Sequence, residues 1–188
     1  LSSAASDVYK RQFMPNIDST TIEAMLSACS VYKGYCFPMI GLHPTSVNDN
    51  YEKELEIVAR ELKFSKEYVA IGEIGMDLYW DKTYLKEQQI VLDKQVNWAL
   101  EYDLPIVIHC RDAFDYIYKV LEPYKKTPLR GIFHSFTGTA EEATRVLEFS
   151  DFFIGINGVV TFKKSHLPEI LAGIPSVSYT HLTLPTIR

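Results

Sequence analysis

Three side chains able to hold a metal ion, Glu73, His109 and His134, each close a short apolar run. Glu73 follows Val69-Ala-Ile-Gly, His109 follows Leu104-Pro-Ile-Val-Ile, and His134 follows Gly131-Ile-Phe. Strand alternation gives all three the same setting, with Ile71, Val107 and Ile132 two positions earlier on the same face. Imidazole nitrogen and carboxylate oxygen together suit zinc, manganese or a similar divalent ion. One histidine at a strand end could simply hydrogen-bond a loop, but three residues in the same position argue for a shared site. His43 also ends a strand, just before Pro44. It could be a ligand, a general acid or a contact to a substrate phosphate, with a structural role as the alternative. Arg111, two residues after His109, could fork onto a phosphate oxygen or pair on the surface with Asp115, four residues on. Asp77 suits either orienting a ligand or capping its turn. Tyr79, Trp80 and Tyr84 could stack bases, although helix–loop packing is the plainer reading. Cys110 alternates away from His109 and reads as packing, and no nucleophile elbow surrounds Ser135.

The elements that must position these residues alternate between strand and helix. Strand candidates lie near 13, 35, 69, 104, 131 and 152. Between them, Leu55, Val58 and Leu62 mark an amphipathic helix over 51–64, and Leu85, Leu92, Val96, Ala99 and Leu100 mark one over about 85–102. Further helical spacing follows in Phe114, Ile117, Val120 and Leu121. Thr20-Thr-Ile-Glu23 and Thr139-Ala-Glu-Glu142 carry the capping-box pattern. Without hairpin signals, this alternation predicts parallel strands with helical crossovers. In an eight-stranded α/β barrel the carboxyl ends of the strands converge on one mouth, which would gather Glu73, His109 and His134. A complete barrel takes about 250 residues, so six βα units of eight are expected here. A doubly wound open sheet is the alternative, but no glycine-rich phosphate loop follows the first strand.

The 188 residues carry a net charge of −5, with 47% hydrophobic and 23% charged residues. That balance disfavours a protein that grips nucleic acid mainly by counterion release, while a bound cation could still supply local positive charge. Three cysteines without metal-site spacing suggest a reduced, cytoplasmic setting, and no apolar run is long enough to span a membrane. Both ends read as foreign to the domain. Residues 1–12 start without Met and show no periodicity, and 177–188, which include His181, are rich in Ser and Thr. The expected domain is therefore 13–176, as the middle of a longer protein.

Gly-Leu-His-Pro at 41–44, Ile-Gly-Glu-Ile-Gly-Met-Asp at 71–77, Ile-His-Cys-Arg-Asp-Ala at 108–113 and His-Ser-Phe-Thr-Gly at 134–138 together resemble the TatD family of metal-dependent hydrolases. The resemblance implies an incomplete TIM-type barrel and a deoxyribonuclease, often a 3′–5′ exonuclease, that uses one or two divalent ions such as Mg, Mn or Zn. It also implies that Glu73, His109 and His134 contact the metal and that DNA is the substrate. Glu73, His43 and Arg111 are the expected catalytic residues. The family pattern also includes a His-x-His pair on the first strand and an aspartate after Glu-Thr on the last, and this chain has neither. The intact parent is thus expected to be active and this chain inactive, aggregation-prone or oligomeric. The rival readings are a related hydrolase of small esters, amides or lactones, and a non-catalytic fragment.

Overall fold

The computed structural model describes residues 11–181, which form one sheet of seven parallel strands. The strands are β1 (Gln12–Pro15), β2 (Cys36–Ile40), β3 (Ala70–Asp77), β4 (Ile106–Arg111), β5 (Gly131–Phe133), β6 (Phe152–Ile156) and β7 (Tyr179–His181). Helices α1 (Ile22–Val31), α2 (Tyr51–Phe64), α3 (Leu85–Glu101), α4 (Phe114–Leu121), α5 (Ala140–Val146) and α6 (Leu167–Ala172) make the crossovers. Strand order in space follows strand order in sequence from β1 to β7. A doubly wound sheet must reverse its order at a switch point, and this one never does. The sheet is instead the curled wall of an incomplete (β/α) barrel. No helix among the described residues is long and apolar enough to cross a membrane.

Two expectations need correction. Seven strands are present rather than six, because β7 pairs with β6 through Ile154↔Tyr179 and Ile156↔His181. It lies within the segment set aside as foreign, and Gln12, assigned to the other tail, begins β1. Three residues rich in hydroxyls carry no alternation signal, so only the waiting edge of β6 specifies this strand. The first capping box is also displaced. Asp18 caps the turn Ser19–Thr21, accepting from Thr20 N, and Thr21 returns the bond. The box at Thr139 and Glu142 forms as expected.

One face of the wall packs beneath the helices. Ile40, Ile106, Ile108, Phe133 and Ile154 join Val58, Leu62, Leu92, Val96, Ile117, Leu121, Ala143 and Val146 in a single buried cluster. The alternate residues line the concave face, which ends at the mouth in Glu73, His109 and His134. In β3 this pattern is interrupted, because the register against β4 shifts between Gly72 and Ile74 and leaves Glu73 as the extra residue of a bulge. Gly75, at φ 136°, lies so close to β4 that a Cβ there would sit 2.0 Å from the His109 carbonyl oxygen. A side chain at Gly75 would push apart the strands that carry Glu73 and His109.

Three buried amides clamp the strand ends. Asn16 accepts from Gly41 N (2.8 Å) and donates to Gly41 O (2.8 Å). Gln95 accepts from Leu42 N (2.7 Å) and donates to Leu42 O (3.3 Å). Gln88 makes the same pair of bonds with Asp77, accepting from its N–H at 2.9 Å and donating to its carbonyl at 3.3 Å. Parallel strands that stop pairing before the mouth leave backbone groups without ladder partners, and these amides satisfy them. Replacing Gln95 with Leu strands both polar groups of Leu42 in the core. We expect Gln95→Leu to cost about 2–3 kcal/mol, measured as a lowered urea midpoint; an unchanged midpoint would show that the clamp carries no stability.

Candidate metal centre

Glu73 is the hub of the mouth. Its buried carboxylate lies between two imidazoles, with Oε2 at 3.6 Å from His43 Nε2 and Oε1 at 3.5 Å from His134 Nε2. Both separations are too long for good hydrogen bonds. They do match the spacing of two donors around one cation, since ligands held at about 2.1 Å in tetrahedral geometry lie about 3.4 Å apart. The ligand atoms of His43, Glu73 and His109 all fall within 4.8 Å of one another. His134 reaches the same carboxylate through its other oxygen. The donor set therefore fits a divalent ion of the zinc or manganese kind, which Glu73 would help to hold.

The histidines are oriented from behind. His43 Nδ1 bonds Thr45 Oγ1 at 2.7 Å in the turn fixed by Pro44, leaving Nε2 toward Glu73. The ring of His43 meets that of His109 edge-on, with centroids 4.7 Å apart. His109 Nε2 bonds Asp77 Oδ2 at 2.9 Å, a bond that fixes the ring and leaves Nδ1 free of it. Asp77 makes both kinds of contact foreseen for it, since its Oδ1 also accepts from Tyr79 N and caps the turn. Ser135, at φ 49°, bonds His134 Nε2 at 2.8 Å, on the same nitrogen that faces Glu73, so that nitrogen would have to release the hydroxyl to bind a cation.

The electrostatics favour metal-ready protonation states. Burial alone would raise the Glu73 carboxyl, but His43, His134 and His109 outweigh it and hold the group below its usual value. Burial lowers His109, with His43 adding to the effect against Asp77 and Glu73, and burial likewise lowers His134. At neutral pH the carboxylate is charged and these two rings are neutral, the form each must take to bind a cation. Burial pushes the Cys110 thiol up to about 12, in keeping with an inert packing role.

Arg111 does not make the surface pair weighed as the alternative to a phosphate contact. Asp115, its foreseen partner, is taken by Arg145 at 2.6 Å. The Arg111 guanidinium instead lies 3.8 Å above the Tyr79 ring, at the exposed rim. Sequence reasoning missed Asn16, Gln88 and Gln95, and weighed Ser135 only as a nucleophile. The signal for the two glutamines was available, since Gln88 and Gln95 are amides on the buried stripe of α3 and such groups require partners.

Two outcomes follow. Asp77→Asn turns the acceptor that orients His109 into a weaker or opposing partner, and should weaken Zn²⁺ or Mn²⁺ binding by about 10–100-fold in calorimetry; unchanged affinity would remove Asp77 from the site. Because the folded histidine values lie below the ordinary 6.5, binding should hold as pH falls to about 6.5 and weaken only below it, as protons compete for the rings. Loss of binding already above pH 7 would contradict these environments.

Residues 1–180 match the family model described as TatD related DNase. The chain is 33% identical over 174 residues to a Bacillus subtilis protein named uncharacterized metal-dependent hydrolase YabD, covering 92% of this chain and 67% of that protein. It is 32% identical over 147 residues to a Pantoea ananatis protein named 3′-5′ ssDNA/RNA exonuclease TatD, covering 77% and 56%. The crystal structure of YjjV, a TatD homologue from Escherichia coli, superposes with a TM-score of 0.82 at 27% identity, covering 90% of this chain and 65% of that one. The aligned stretch thus spans between about half and two thirds of these relatives. With a parallel barrel wall, a mouth of histidine and carboxylate donors, and these matches, the chain belongs to the TatD related DNase family of metal-dependent hydrolases.

Proposed function

We propose that this mouth serves divalent-metal-dependent hydrolysis of phosphodiester bonds in DNA, in the manner of a 3′–5′ exonuclease. The observation that supports the reading is the Glu73 carboxylate set between His43 and His134, with His109 alongside and anchored by Asp77. A divalent ion held by such a donor set would lower the pKa of a bound water and polarise a phosphoryl oxygen. Glu73 would carry the negative charge that holds the ion or ions, and the neutral rings of His109 and His134 would complete this side of the shell. His43 Nε2 faces the same carboxylate and is positioned either as a further ligand or as a proton donor to the scissile phosphate. Arg111, on the rim, would hold a phosphate oxygen of the incoming strand and offset the acidic balance of the chain.

Among the described residues, the donors gathered at the mouth come from β3, from β4 and from the residues that follow β2 and β5. The histidine pair and the aspartate that the family resemblance implies have no counterpart among these motifs, and that aspartate is the natural general base. We therefore assign the activity to a protein carrying the complete set, with this chain supplying Glu73, His43, His109 and His134. In such a completed protein, single-stranded DNA should lose nucleotides only when Mg²⁺ or Mn²⁺ is present, and Glu73→Ala should lower the rate at least about 10³-fold, judged against the several kcal/mol that a catalytic ion contributes. Undiminished cleavage by Glu73→Ala would overturn the assignment. Turnover of small esters with none of DNA would favour the related esterase reading.

A further inference from the structure

Beside the mouth stands a cluster that the metal chemistry does not use. Trp80 is 80% exposed and Tyr79 is 49% exposed, both on the loop between β3 and α3. A role in helix–loop packing would have buried the indole, as it half-buries Trp98 on α3. Leaving a tryptophan this exposed forgoes one of the largest apolar burials a side chain can offer. The two rings are nonetheless ordered against each other, edge to face, with centroids 4.5 Å apart at 88°. The Arg111 guanidinium covers one face of Tyr79 at 3.8 Å and lies 5.9 Å from the Trp80 ring. Among the described residues no carboxylate pairs with Arg111, so its charge faces solvent beside an open aromatic face.

The cluster is fixed to the metal centre by short links. Leu78 N donates to Arg111 O at 2.9 Å, tying the β3 loop to the end of β4. The Asp77 carboxylate holds Tyr79 N through Oδ1 and His109 Nε2 through Oδ2. A ligand lying on Trp80 would therefore sit one residue from a turn that Asp77 joins to His109 and that Leu78 joins to the end of β4.

We propose that Trp80, supported by Tyr79 and Arg111, is a base-stacking subsite for single-stranded nucleic acid. The open indole face takes an unpaired base and Arg111 takes the adjoining phosphate. This rests on the nuclease reading of the neighbouring mouth. The chemistry selects a single strand, because only unpaired bases offer a free π-face, and it tolerates sequence, because every base has one. The cation over Tyr79 holds that ring flat and supplies local positive charge in a chain whose net charge is −5.

The test uses this chain with EDTA present, so that no cleavage intervenes. An oligothymidylate of about ten nucleotides should quench tryptophan emission, and an abasic strand of equal length, with the same phosphates and no bases, should not. In fluorescence anisotropy, Trp80→Ala should weaken oligothymidylate binding by about tenfold or more, and Trp80→Phe should restore most of that loss. Circular dichroism checks the fold, which an exposed substitution should leave intact. Wild-type affinity in Trp80→Ala, equal quenching by the abasic strand, or no binding to the wild-type chain overturns the subsite. The first two leave the hydrolase reading standing, because metal-dependent cleavage decides that separately. Quenching confined to the base-bearing strand and lost in Trp80→Ala supports the subsite even where cleavage is absent.

Discussion

The mouth depends on keeping one carboxylate charged while it is buried. Removing an ionised carboxyl from water is costly unless opposite charge or strong donors compensate. Glu73 sits at this extreme, enclosed at the end of β3 with imidazoles 3.5 and 3.6 Å away on either side. The imidazoles at that distance outweigh the burial and keep the carboxyl below its usual value. A cation between them would add to this, and the spacing leaves room for one. The bulge at Glu73 and the absent side chain at Gly75 are the backbone conditions for this arrangement. One re-aims the carboxylate, and the other lets β4 come close enough to bring His109 beside it.

The rest of the barrel end is built to hold that geometry. Parallel strands deliver His43, Glu73, His109 and His134 to one rim, but a strand that ends there loses its ladder partners. Asn16, Gln95 and Gln88 replace them at Gly41, Leu42 and Asp77, the first from the residue after β1 and the others from two turns of α3. Asp77 then passes the constraint on, orienting His109 with one oxygen and the Tyr79 turn with the other. Among the described residues no buried side-chain polar atom is left without a hydrogen-bond partner. The polar network at this end is thus complete apart from what a cation would add.

Much of this was legible before any coordinates. The helix over 51–64 and the one ending near 101 follow from their apolar stripes, and alternation put His109 and His134 on the concave face of their strands. It grouped Glu73 with Ile71, whose register with Ile106 lies on the helix-covered face, and the bulge turns the carboxylate to the mouth instead. Other features have no signature in a single chain. β7 exists because β6 offers an edge, and three residues of Ser–Thr-rich sequence cannot announce that. The bulge that displaces Glu73 is a property of β3 and β4 together. Arg111 and Asp115 have the spacing of a helical pair, yet Arg111 belongs to the strand end, where Tyr79 is nearer, and Arg145 reaches Asp115 instead. His43 could be assigned no single role from its position, because its approach to Glu73 depends on how far β2 and β3 curl toward each other.

The central claim is that Glu73 is held as a metal-binding carboxylate and not as a structural ion-pair partner. Anomalous scattering from crystals of this chain soaked in Mn²⁺ tests it most directly. The account predicts an anomalous peak at the strand ends, within about 2.2 Å of a Glu73 oxygen and of at least one nitrogen of His43, His109 or His134. Manganese found only on surface carboxylates, with Glu73 still contacting the imidazoles alone, would contradict it.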